Sequence, residues 1–211
     1  MKILNLYACL GGNRYKWDDV INVEVVAVER DPELAKLYQE RFPNDKVVIG
    51  DAHQYLLDHY KEFDFIWSSP PCPTHSRARF ARRSSTKPVY PSMSLYEEII
   101  FLKYNAVGKY CVENVIPYYE PLIEAQKRGR HLYWCNFNLP KTLSNRKSVD
   151  MEGKDAMNKW CEFHEYDFRK YKGDQKTEKI ARNLVDYEAG KTILEVALGS
   201  YEEKTNQISL F

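Results

Sequence analysis

Of the residues in this chain that could do chemistry, Cys72 is the most sharply placed. It sits in Ser69-Pro70-Pro71-Cys72-Pro73-Thr74, directly after an apolar run, Phe63-Asp64-Phe65-Ile66-Trp67, that reads as a buried strand. Two successive prolines fix φ and remove two backbone donors, so the strand stops and the backbone stiffens. A thiol at the end of a parallel strand stands where α/β proteins usually put their chemistry. Held rigidly, it could attack a carbon. Free cysteines are also often packed and inert, and a Pro-rich turn with such a cysteine is an ordinary feature. A lone cysteine does not decide between the two; partners elsewhere must.

Other strand ends carry a second set. Gly11-Gly12 follow the first apolar run and let backbone approach a ligand closely, with Tyr7 able to pack against it. Glu29 ends the second run, roughly where a dinucleotide-type fold places the carboxylate that binds ribose hydroxyls. Asp51 ends the third, and its carboxylate could accept from an adenine amino group. The full GxGxxG spacing is absent, so the glycines alone could be a plain turn. With Glu29 and Asp51 they point to an adenosine-containing cofactor. There is no Walker lysine pattern, so ATP fits poorly. After the candidate nucleophile come Arg77, Arg79, Arg82, Arg83 and Lys87 with no acidic residue among them. Such a run is often a solvated loop, but beside an active-site turn it would attract a polyanion.

The elements that must position these residues alternate. Strands are expected at Lys2–Ala8, Val23–Val28, Val47–Ile49, Phe63–Trp67, Lys109–Val112 and His131–Phe137. Helices are expected from Asp31-Pro32 onward, with Asp as N-cap and Pro at the first position, and at His53–Tyr60, Ser94–Val107 and around Pro121–Lys127. This order predicts an α/β fold with a doubly wound, mostly parallel sheet. Asn138–Lys176 breaks the rhythm and reads as a small inserted lobe or long loop, after which Thr177–Leu184 and Tyr187–Leu198 resume it. A length of 211 residues, 44% of them hydrophobic, suits one domain with a sizeable core. No apolar stretch approaches the roughly 18 residues of a membrane span, and the N-terminus turns polar too soon for a signal peptide. Five scattered cysteines suit a reducing cytoplasm, and a net charge of +1 announces no polyanion globally.

Four segments, in this order, resemble the cytosine-C5 DNA methyltransferases, which use S-adenosyl-L-methionine. Leu6-Tyr7-Ala8-Cys9-Leu10-Gly11-Gly12 is similar to the family's Phe-Ala-Gly-x-Gly-Gly motif, and Pro70-Pro71-Cys72-Pro73-Thr74-His75-Ser76 to its Pro-Cys-Gln-x-x-Ser loop. Glu113-Asn114-Val115 matches Glu-Asn-Val, and Gln126-Lys127-Arg128-Gly129-Arg130 fits Gln-x-Arg-x-Arg. Arg182-Asn183-Leu184-Val185 is similar to the Gly-Asn-x-Val segment of the last motif. Cys9, Pro73 and Arg182 depart from the pattern, and the stretch left for a target-recognition domain is far shorter than the family's.

The resemblance implies a compact enzyme of bacterial or phage type, expected to act as a monomer in the cytoplasm of a bacterial host. Residues 1–137 and 177–200 would form the catalytic domain, 138–176 a reduced recognition lobe and 201–211 a tail. Cys72 would add to carbon 6 of a flipped cytosine, activated by nearby positive charge. Glu113 would bind the base at N3 and its amino group, and Arg130 with Arg128 would favour the thiolate and grip the nucleotide. Tyr7, Leu10, Gly11, Gly12, Glu29, Asp51, Ala52, Pro71 and Asn183 would hold the cofactor. Arg77, Arg79, Arg82 and Arg83 would contact the phosphates of double-stranded DNA.

Rival readings have less support. The Ser-Pro-Pro-aromatic motif of amino-methylating enzymes fails because Cys72 stands where the ring should be. RNA cytosine-C5 methylation shares the same motifs, and a non-catalytic, clamp-associated DNA-binding module is a reading of another class. Cys161-x-x-His164 could bind zinc, but no second pair lies nearby, so no metal is expected. Gln207-Ile208-Ser209-Leu210-Phe211 resembles the peptide by which bacterial proteins dock on the sliding clamp; equally, the tail could pack its Leu-Phe on its own domain.

Overall fold

The computed structural model describes residues 1–147 and 155–202. Seven strands form one sheet: β1 (Lys2–Leu6), β2 (Glu24–Glu29), β3 (Lys46–Ile49), β4 (Phe65–Ser68), β5 (Lys109–Val115), β6 (Gln126–Arg128) and β7 (His131–Cys135). Their order is β3-β2-β1-β4-β5-β7-β6. The first five run parallel, whereas β7 is antiparallel to both of its neighbours. Strand order reverses between β1 and β4, which opens a crevice at the carboxyl ends of those two strands. The loop after β1 and the turn carrying Cys72 both start there.

Alternation along the strands splits the core onto two faces. Leu4 and Leu6, with Val26, Val28, Ile66 and Val112, meet α2 (Ala52–His59) and α4 (Ser94–Asn105) through Leu56, Leu95, Ile99 and Leu102. Ile3, with Val25, Phe65 and Trp67, meets Trp17 and the Ile193–Leu194 face of α7 (Tyr187–Leu198). Period-two burial on both sides is what a sheet covered by helices on each face requires. Helix α7 lies so close to the loop after β1 that a Cβ on Gly190 would sit 2.2 Å from the Asn13 carbonyl oxygen. Helix α1 (Pro32–Arg41) starts as expected, with Asp31 Oδ1 accepting from the backbone N–H of Glu33 and Leu34.

Three elements differ from expectation. The helix expected around 121–127 is absent: residues 121–125 are irregular, and Gln126 begins β6 of a hairpin with β7. Its side chain explains the choice, because Nε2 donates to Phe137 O (2.8 Å) and Oε1 accepts from Leu139 N (2.7 Å). Those bonds need an extended Gln126 beside the chain leaving β7. Strand β5 runs on through Glu113–Val115 instead of ending before them. Within the basic segment, Arg77–Ala81 forms a short helix, α3, capped by Ser76.

The described part of the 138–176 segment contains helix α5 (Ala156–His164) and packs on the main body. Trp160 and Phe168 bury against Leu10, Leu34 and Leu37, together with Ile180 of α6 (Thr177–Asn183). Tyr171 Oη and Gln175 Nε2 both donate to Asp31 Oδ2, at 2.7 and 2.9 Å. Among the described residues no helix is long and apolar enough to cross a membrane.

Candidate active site

The crevice at the strand ends is a cavity of about 1250 Å³. That exceeds the roughly 300–1,000 Å³ of a single small-ligand pocket and leaves room for two occupants. On one side stands the nucleophile turn. Its prolines leave few donors, so the turn is tied down through carbonyls. Asn114 Nδ2 donates to Pro70 O at 2.9 Å, while Asn114 Oδ1 accepts from Val115 N. Cys72 O accepts from both His75 N and Ser76 N, at 3.0 and 3.1 Å. His75 is buried, its Nδ1 lies 2.6 Å from Tyr119 Oη, and its Nε2 finds no partner among the described residues.

Glu113 lies on β5 opposite Tyr133, is buried, and lines the same cavity as Cys72. His131 Nε2 is 3.5 Å from its Oε1. The thiol of Cys72 shares this cavity with Glu113. Burial pushes its pKa up, the Glu113 carboxylate adds to the push, and Lys179 of α6 opposes weakly. The Arg128 guanidinium is spent on the carbonyls of Lys127, Leu139 and Pro140, where it braces the hairpin. Arg130 is exposed at the hairpin tip and lines the cavity without an ion pair among the described residues.

The other side of the cavity carries the cofactor candidates. Tyr7, Gly12, Glu29, Asp51, Ala52, Pro71 and Asn183 all line it. Glu29 accepts one backbone N–H on each oxygen, from Cys9 and Asp31 at 2.8 Å, and keeps lone pairs for a diol. Burial pushes its carboxyl up, against those N–H groups, which hold it down. Asp51 caps α2 through Oδ1 alone, accepting from His53 and Gln54. Two acceptors at consecutive strand ends beside an aromatic ring fit the ribose and adenine of S-adenosylmethionine.

Leu10 and Gly11 do not join this lining. Leu10 is fully buried in the core beneath α1, and its carbonyl accepts from Arg41. Gly11 has φ +65°, and a Cβ there would lie 2.4 Å from the Phe42 ring, so it serves the turn and its packing. Tyr7 and Cys9 also hold positive φ, 57° and 48°, which is costly for residues with side chains. The loop is held in that shape by Asn13 Nδ2 donating to Asn5 Oδ1 (2.8 Å) and by Arg14 bridging Asp45 and Asp18.

One participant escaped sequence reasoning. Glu98 of α4 is 1% exposed and takes hydrogen bonds from Tyr7 Oη (2.5 Å) and Ser68 Oγ (2.6 Å), with His53 Nδ1 at 2.9 Å. The signal was available: Leu95, Glu98, Ile99 and Leu102 share one helical stripe, so a carboxylate stands on the buried face.

Beyond the nucleophile, Arg77 Nε donates to Pro117 O, which ties α3 to the chain after β5. Arg79 donates to Lys87 O, while Arg82 and Arg83 are exposed. Phe80 stacks flat on Tyr118, centroids 4.7 Å apart, and stays 43% exposed. Cys161 and His164 do not converge on a metal. The thiol faces Asp167 and Arg169, while His164 is buried against Trp160 and Phe168, and burial pulls its pKa down to about 4. Among the described residues no group of three metal-ligating side chains gathers. The segment Gln207–Phe211 lies outside the described residues.

Known proteins are similar to this chain in part of its sequence and in its fold. Residues 1–99 match the family model for C-5 cytosine-specific DNA methylase, a span that includes the loop after β1 and the nucleophile turn. The Entamoeba histolytica methyltransferase EhMeth is similar at 10% identity and TM-score 0.57, over 96% of this chain and 99% of that one. A Spodoptera frugiperda DNMT2 mutant is similar at 14% identity and TM-score 0.54, over 93% and 99%. At such identities the likeness is one of fold alone. No curated protein sequence matches the chain.

Proposed function

Starting from a chain whose residues 1–99 match the C-5 cytosine-specific DNA methylases, we propose that it transfers a methyl group to carbon 5 of cytosine in DNA. The observation that carries the reading is the convergence of Cys72, Glu113 and Asn114 on one cavity that also holds the Glu29 and Asp51 carboxylates. When bound, S-adenosyl-L-methionine supplies an electrophilic methyl group. Tyr7, Glu29, Asp51, Ala52 and Asn183 would hold it.

Carbon 5 of cytosine is a poor nucleophile until something adds at carbon 6. The Cys72 thiol loses its proton and its sulfur bonds to C6, and the electrons of the 5,6 double bond move to C5 and toward N3. Carbon 5 would then take the methyl group as its bond to the donor's sulfonium sulfur breaks, the donor leaving as a neutral thioether. Loss of the C5 proton restores the double bond and expels Cys72 as thiolate. Glu113 faces N3 and the exocyclic amino group, where charge changes as attack proceeds. Its hydrogen bond to the base would also relieve the negative field that pushes the Cys72 pKa up. Base and thiolate thus favour each other's presence. Pro70 and Pro71, anchored by Asn114, fix the line of attack.

The cytosine must leave the stack to reach this cavity. Arg77, Arg79, Arg82, Arg83 and Lys87 supply cations for the flanking phosphates, with Arg130 and Lys179 nearer the cavity. Residues 138–176 act as a reduced target-recognition lobe, and Gln207–Phe211 as a tether to the sliding clamp. The test is transfer of labelled methyl to duplex DNA and, in parallel, to tRNA. Transfer to DNA that Cys72→Ala abolishes supports the proposal. Transfer to tRNA alone would replace the substrate, and full activity of Cys72→Ala would sink the mechanism. Removing 207–211 should cost clamp binding and leave intrinsic activity in place.

A further inference from the structure

A carboxylate with almost no solvent contact needs a reason to be where it is, because burying a charge costs several kcal/mol unless it is fully bonded. Glu98 is fully bonded, and its partners come from three separate elements. Tyr7 follows β1, His53 lies in the first turn of α2, and Ser68 ends β4 just before the nucleophile turn. Tyr7 and His53 line the cavity on its cofactor side, whereas Glu98 itself does not. Tyr7 also holds a φ of 57°, which an L residue adopts only when surrounding bonds insist. The hydroxyl reaching Glu98 is such a bond.

We infer that Glu98 is a positioning residue that locks Tyr7 and His53 into the cofactor pocket and ties that pocket, through Ser68, to the strand carrying the nucleophile turn. The inference rests on the cofactor reading given above. The surroundings of His53 agree with it. The Glu98 hydrogen bond is the largest influence raising its pKa, burial pulls the other way, and the charges of Glu98, Glu97 and Asp51 add to the rise. The imidazole of His53 thus sits between the buried Glu98 and Glu97, whose Oε2 is 3.3 Å from Nε2. Without Glu98, Tyr7 loses the acceptor that holds its ring, and His53 loses the partner that sets its orientation.

Calorimetric titration of S-adenosylhomocysteine into the whole chain tests this, with thermal unfolding as the control. Glu98→Gln should weaken binding about tenfold, the scale of a lost hydrogen bond to a charged group. Tyr7→Phe, which removes only a hydroxyl from a half-buried ring, should do the same. The double variant should be no worse than Glu98→Gln alone, because that variant already breaks the contact that Tyr7→Phe removes. Glu97→Gln, on the same helix but exposed, should stay within about twofold. Wild-type affinity in a folded Glu98→Gln, or in Tyr7→Phe if Glu98→Gln does not fold, would overturn the inference alone. Additive losses in the double variant would also overturn it. Failure of the wild-type chain to bind would overturn the cofactor reading and the inference together.

Discussion

The pocket around Tyr7 and Glu98 and the segment from Arg77 to Tyr90, which leaves the cavity wall at His75 and returns to it at Ser92, treat polar groups in opposite ways. In the first, Glu98 has three partners, Arg14 spans Asp45 and Asp18 at 2.9 and 2.8 Å, and Glu29 takes two backbone N–H groups. In the second, Arg82 and Arg83 are exposed without ion pairs among the described residues, and Val89 and Tyr90 are exposed beside them. A pocket whose polar groups are bonded in advance loses little freedom when a small ligand enters. A loop of uncompensated cations gains its partners only when a polyanion arrives. The folded chain is therefore prepared for its cofactor and incomplete toward the nucleic acid proposed as its substrate.

Substitutions on each side should separate the two. The largest effect is expected where they meet: Cys72→Ala should reduce methyl transfer to background while calorimetry finds cofactor affinity within about threefold of wild type. Next comes the prepared side. Arg14→Ala leaves Asp45, which is nearly solvent-free, without its cation and should cost about 3–5 kcal/mol in urea unfolding. On the loop, Arg82→Glu with Arg83→Glu should weaken duplex DNA binding at least about tenfold at low salt, and the gap should close as salt rises. Cofactor binding and stability should not move. A comparable loss of stability would erase the contrast.

Two smaller effects follow from charge. Glu113 raises the Cys72 pKa, so Glu113→Gln should shift the pH profile of Cys72 alkylation downward and speed alkylation severalfold at mildly alkaline pH, read by peptide mass spectrometry. An unchanged rate would mean that burial alone governs the thiol. His53 is the smallest. Its folded pKa is raised above the ordinary 6.5, so its pairing stabilises fully below that value and is lost as pH rises through the raised one. His53→Gln should therefore lower Tm at about pH 6 by no more than about 2 °C, with the difference vanishing at alkaline pH.

Much of this was legible in the sequence because the chemistry follows strand ends. Cys72 could be placed at a strand end from the apolar run before it, and Glu113 was joined to it by the resemblance of Glu113-Asn114-Val115 to a family motif. The helix expected at 121–127 failed because one side chain, Gln126, bonds both Phe137 and Leu139 and so prefers an extended backbone. Leu10 and Gly11 sit inside a ligand-type motif, but φ and packing against Phe42 turn them inward, which spacing does not reveal. The Arg128 side chain lines the cavity, but the bonds with which it braces the hairpin could not be read from spacing. Its carbonyl partners at 139 and 140 belong to a segment whose path the sequence left open.

The two hydrogen bonds on Asp31 Oδ2 reach beyond stability. Tyr171 and Gln175 hold the carboxyl of Asp31 below its usual range against the opposing push of burial. The same residue caps α1 and donates its own N–H to Glu29 at the cofactor site. The segment that would read the target is thus mortised into the wall of the cofactor pocket. It cannot be exchanged like a cassette. A transplanted reader from another source would have to bring its own hydroxyl and amide to Asp31, or it would change the target and loosen the methyl donor in one stroke.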